Sequence, residues 1–167
     1  KFHVRFPEGY TLMAGQSLVV SVKGSTEFFE AYGRYPDQEV VEDGAGPDEI
    51  PDMVAAFPGS SGYLPSLYAG NMSVVLYSWD PQDGYVKDLD YFFWGDLYSY
   101  RVDKTDLTVG GHAYLPDTDE SLQTPLALAV HSYNHAWRRN DLAETGETSS
   151  GGNGLDGHDE TREPLNA

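Results

Sequence analysis

A chain of 167 residues, 40% hydrophobic and 13% aromatic, is long enough to bury one real core. Its 27 Asp and Glu against 10 Lys and Arg leave a net charge of −17, which argues against a general basic surface for nucleic acid or anionic membrane. There is no cysteine for a disulfide or a thiolate metal site, and no apolar run approaches a membrane span.

The acidity favours solubility and leaves many carboxylates open to divalent cations. A solvated surface on a secreted or salt-tolerant protein is the plainer account of it. In chain order, residues 2–6 alternate apolar and polar and read as a short strand ending at Pro7-Glu8-Gly9. The pattern is already under way at Lys1, so further strands are expected upstream. Residues 17–22 are the next strand. A short helix then runs from Gly24-Ser25 to Tyr32, with Ser25 as N-cap, Glu27 in the first turn and Gly33 closing the far end. Phe28, Phe29 and Tyr32 give it one apolar side, which suits a strap over a sheet edge. Prolines and glycines break residues 34–70 into a long connection, apart from a possible helical turn at 53–57.

The clearest element is a hairpin. Residues 73–79 alternate, with Val75, Tyr77 and Trp79 on one face and Val74, Leu76 and Ser78 on the other. Asp80-Pro81-Gln82-Asp83-Gly84 makes the turn, and residues 85–93 return rich in β-branched and aromatic side chains. Val74, Leu76, Val86 and Leu89 are the expected core positions, with Val19 on a neighbouring strand. Asp88 and Asp90, two apart on a strand, are expected together on the solvent face. Tyr91, Phe92, Phe93 and Trp94 cannot all point inward, so some of that aromatic surface should meet a neighbour. Residues 97–102 and 107–109 read as further strands. From Gly110 the pattern thins, and 145–167 reads as a loop or extended tail.

Candidate sites are few. His131 and His135 stand four apart, a spacing that lets a helix present both imidazoles to zinc, but Ser132 occupies the place of a zincin's general base. Ordinary surface histidines are the plainer reading. For calcium, Asp156, Asp159 and Glu160 around Gly157 form the best candidate, because a sharp turn could gather their oxygens. Gly152 and Gly154 fall where an EF-hand-like loop needs side-chain ligands, which favours a solvated acidic tail. Asp43, Asp48, Glu49 and Asp52 form a second oxygen-rich cluster without recognisable spacing. Gly59-Ser60-Ser61-Gly62 and Gly24-Ser25-Thr26 lack the frame of a nucleophile elbow, and there is no Walker-type phosphate loop.

The order of these signals resembles the bacterial lamin-tail domain. The likeness is carried by Thr11-Leu12-Met13-Ala14-Gly15-Gln16-Ser17-Leu18-Val19-Val20, by Ser66-Leu67-Tyr68-Ala69-Gly70-Asn71 and by Val74 to Asp80. Gly84 to Tyr91 and Trp94-Gly95-Asp96 continue it. It spans about residues 2–100 and lacks the family's opening strands. The resemblance implies an all-β, immunoglobulin-like β-sandwich with one short helix and long loops, over residues 1–110. Residues 111–167 then form an irregular, acidic, Gly-rich extension. It also implies an extracellular or cell-surface protein that scaffolds or binds and is not an enzyme. Calcium is the one cofactor to consider. The expected partner is the upstream part of the same protein or another chain, including self-assembly, with no nucleic acid and no membrane span. The alternatives are an accessory region of a secreted metal-dependent hydrolase, with its catalytic part upstream or at His131/His135, and a surface-assembly subunit whose acidic loops calcium holds.

Overall fold

The computed structural model describes residues 1–41, 49–61, 66–80, 82, 85–95, 100–109, 111–114, 119–121, 123, 125, 136, 138–139 and 165–166. Among these residues the fold is mainly β, with small sheets and one short helix. None of the described helices is long and apolar enough to cross a membrane. The chain forms two compact units, Lys1–Leu67 and Tyr68–Ala167.

The first unit contains β1 (Val4–Arg5), β2 (Val20–Ser21), α1 (Ser25–Tyr32), β3 (Gln38–Glu39) and β4 (Val54–Ala55). β1 pairs antiparallel with β4, and β2 pairs parallel with β3. Parallel neighbours need a crossover connection, and α1 lies in it, linking β2 to β3. Gly24 takes the N-cap position without a side-chain cap. Ser25, the expected cap, is instead the first helical residue and is fully buried. Gly33 closes the helix in the left-handed region at φ 68°, and its N–H donates to the Phe29 carbonyl at 2.8 Å.

The expected helical turn at 53–57 is strand β4. Tertiary backbone partners decide this: the Met53 N–H donates to the Glu39 carbonyl (2.7 Å) and the Ala56 N–H to the His3 carbonyl (3.1 Å). Ser60 completes the junction, donating from its hydroxyl to the His3 carbonyl (2.7 Å) while accepting from the Phe57 N–H (3.0 Å).

The second unit is built on the expected hairpin, β5 (Met72–Asp80) against β6 (Tyr85–Trp94). Of its turn, only Gln82 lies within the described residues. Leu76 faces Asp90 and Tyr77 faces Asp88, so Leu89 has no opposite number and forms a β-bulge. The bulge shifts the alternation of β6 by one residue. Val86 and Asp88 before it, and Tyr91 and Phe93 after it, therefore share one face with Ser73, Val75 and Tyr77 of β5. That face is the core, with Tyr91 and Phe93 almost wholly buried and their rings stacked at 5.7 Å.

Several expected core positions are thereby corrected. Leu76 and Leu89 lie 45% and 50% exposed, Leu76 because it sits on the other face and Leu89 because it is the bulged residue. Val74 shares Leu76's face and is half-buried, whereas Val86 does lie on the core face. Val19 belongs to the first unit, just before β2. Asp88 and Asp90 do not share a face, for the same reason: Asp88 is buried on the core side. At the open end of the hairpin both faces are covered. Phe92 stacks on Trp94 (6.1 Å), whose indole N–H donates to the Tyr68 carbonyl at 2.8 Å.

After the hairpin, β7 (Thr108–Val109) and β8 (His112–Ala113) form a small antiparallel ladder. Further on, β9 (Arg138–Arg139) pairs with β10 (Leu165–Asn166).

Candidate functional site

The polar groups of the second unit converge on the core face of the hairpin. The bulge turns Asp88 inward, where its carboxylate meets the Lys104 ammonium; both side chains are nearly buried. Local hydrogen bonds present Lys104. Asp103 Oδ1 accepts from the Thr105 N–H (2.8 Å), the Lys104 carbonyl accepts from the Leu107 N–H (3.0 Å), and Asp106 adopts φ 64° between them. The Leu107 carbonyl then accepts from the Tyr114 N–H (3.0 Å), which extends the β7–β8 ladder by one residue and sets Tyr114 inward. Its ring lies 5.8 Å from the Lys104 ammonium, and its hydroxyl accepts from the Val86 N–H at 3.0 Å.

A second cluster centres on Tyr91. Its hydroxyl accepts from the Val102 N–H (3.1 Å) and donates to Gln123 Oε1 (3.2 Å), while Gln123 Nε2 donates to the Val102 carbonyl (2.7 Å). Gln123 is placed by a turn in which Asp119 Oδ1 accepts from the Ser121 N–H (2.8 Å) and from the Ser121 hydroxyl. Those two donors hold the Asp119 carboxyl below its usual range, the hydroxyl contributing most. Arg101 places its guanidinium 5.3 Å from the Phe93 ring and donates to the Glu120 carbonyl. Each of these groups is turned to a structural partner, so the cluster fastens residues 101–102, 119–121 and Gln123 to the hairpin.

In the first unit an open cleft of about 320 Å³ lies between β2 and α1, edged by Phe28 and Tyr32. Lys23 and Glu27 on its rim form an exposed ion pair at 3.6 Å. Nearby Glu39 is fully buried in β3, and a parallel bridge sets it beside Asp52.

The calcium candidates Asp156, Asp159 and Glu160 lie outside the described residues, as do Asp43, Asp48, His131 and His135. Glu49 and Asp52 are described and exposed, and no group of three or more His, Cys, Asp or Glu able to hold a metal occurs among the described residues. Sequence reasoning missed Lys104, Tyr114 and Gln123. Their only advance signals are local: Asp103 and Asp119 are turn formers, and neither names a distant partner. Comparison of the chain with protein-family models, with curated proteins and with solved structures finds no match.

Proposed function

We propose that this chain is a non-catalytic, extracellular structural or binding module, an immunoglobulin-like sandwich of lamin-tail type, whose partner is another stretch of polypeptide. The single observation that carries the reading is the division of labour on the hairpin. Its inward polar groups are engaged in fastening the second unit, while large apolar side chains such as Leu76, Leu89 and Trp79 lie on its surface. A catalytic cluster needs a group aimed at a site where substrate can stand, and Asp88 and Lys104 face each other while the Tyr91 hydroxyl is held by Gln123 and the Val102 N–H. Exposed apolar surface on an otherwise acidic chain supports a binding role.

Purified protein should bind reversibly to a cell-envelope fraction, and replacing exposed Leu76 and Leu89 by Lys should abolish that binding without altering the circular dichroism. Hydrolysis of an ester or phosphodiester reporter that copurifies with the chain and disappears in Asp88→Asn would sink the reading, because the buried cluster would then be catalytic.

A further inference from the structure

We propose that the cleft between β2 and α1 binds a free α-amino acid with a large apolar side chain. This goes beyond the binding-module reading and stands on the first unit alone. The cleft holds about 320 Å³, toward the lower end of the size range of small-molecule sites. Val20 and Val22 line it on the strand side, and Phe28 and Tyr32 on the helix side. The Phe28 and Tyr32 rings stand 4.5 Å apart at 42°, and Tyr32 is 70% exposed. An apolar group laid against this pair removes aromatic surface from water. Ser21 is engaged elsewhere, its hydroxyl donating to the Gly24 carbonyl (2.7 Å) and its carbonyl accepting from the Val40 N–H (2.8 Å). The charged groups lining the cleft are Lys23 and Glu27.

Those two charges define the ligand. The Lys23 ammonium and the Glu27 carboxylate stand 3.6 Å apart, with side chains 65% and 62% exposed. An ion pair this open to water is worth little by itself, so each member can turn to a ligand at small cost. Side by side, they set one positive and one negative charge at the rim of an apolar cleft. The complement is a molecule with the two opposite charges on neighbouring atoms and an apolar body. A free α-amino acid has both: its carboxylate meets Lys23, its ammonium meets Glu27, and its side chain lies against Val20, Val22, Phe28 and Tyr32. A stretch of polypeptide does not, because its interior residues lack both backbone charges and each terminus carries one.

The probe is phenylalanine, titrated into the full chain while backbone amide shifts are followed by NMR. Two comparators each lack one charge: phenethylamine has no carboxylate, and phenylpropionate has no ammonium. Phenylalanine should bind with a Kd of about 1 mM and shift the amides of Val20, Val22 and Tyr32. Each comparator should bind about two- to fivefold more weakly. Lys23→Met should weaken phenylalanine by a similar factor without weakening phenethylamine. Glu27→Gln should weaken phenylalanine without weakening phenylpropionate. Tyr32→Ala should weaken all three by about two- to tenfold. No shift at concentrations well above that Kd, or shifts confined to residues away from the cleft, would overturn the proposal. So would a comparator that binds as tightly as phenylalanine, or undiminished binding of phenylalanine to Lys23→Met and Glu27→Gln.

Discussion

Lys104 brings a buried ammonium against the buried carboxylate of Asp88, and the two are not equivalent under mutation. Lys104→Met leaves the carboxylate without its ion partner and should cost about 3–5 kcal/mol in a denaturant titration. The double change Asp88→Leu with Lys104→Met should recover most of that loss, because an apolar pair of similar size avoids desolvating both charges. Gly95 has φ 87°, and a Cβ there would lie 2.5 Å from the Gly70 carbonyl oxygen and would also run into Asn71. Gly95→Ala should accordingly cost about 1–3 kcal/mol from the backbone conformation alone, with the clash in addition. At Asp119 the folded carboxyl titrates below its usual range, so its contribution to stability is present above the unfolded value and is lost as pH falls through the folded one. Ser121→Ala should move the Asp119 titration, followed by carboxyl NMR shifts, back upward. An unchanged titration would remove the hydroxyl as its main cause.

At the scale of elements, the bulge at Leu89 decides which side chains are core. Deleting Leu89 would restore simple alternation and leave every other pair of the ladder in register, with Asp88 and Tyr91 still on the core face. The deletion, which removes a half-exposed residue, should therefore leave unfolding cooperative in a thermal melt, and a lost transition would mean that the bulge lies elsewhere. Substitutions test the same phase more gently. Leu76→Ala should cost less than about 1 kcal/mol, whereas Phe93→Ala should cost about 3–5 kcal/mol. Comparable losses at both positions would mean that the faces are assigned wrongly. The hairpin and the Gly33 helix stop were legible because alternation, turn chemistry and capping are local. The bulge was not, because nothing local distinguishes Leu89 from a paired residue.

For the whole molecule, a charge of −17 means that the folded state gathers carboxylates that repel one another. Melting temperature should rise with sodium chloride as screening relieves that repulsion. The expectation of calcium at Asp156, Asp159 and Glu160, or at Asp43, Asp48 and Asp52, requires a further rise in calcium beyond magnesium and beyond sodium chloride at matched ionic strength. Its affinity would lie in the roughly millimolar to submillimolar range of extracellular modules. Three superimposed melting curves would leave screening alone.

Composition and local pattern by themselves determined a mainly β chain with one short helix between Gly24 and Gly33, a central hairpin over residues 73–93 and a net charge of −17. Each follows from interactions between residues close in sequence or from a sum over the chain. Only the tertiary structure decided that α1 joins two parallel strands, that residues 54–55 are strand, and that Asp88 is buried while Leu76 is not. Those outcomes depend on partners far along the chain: His3 and Glu39 for β4, and Lys104, Tyr114 and Gln123 for the hairpin. A contact between distant residues leaves no periodicity in the sequence, and a single bulge reverses the side-chain phase without any change in composition.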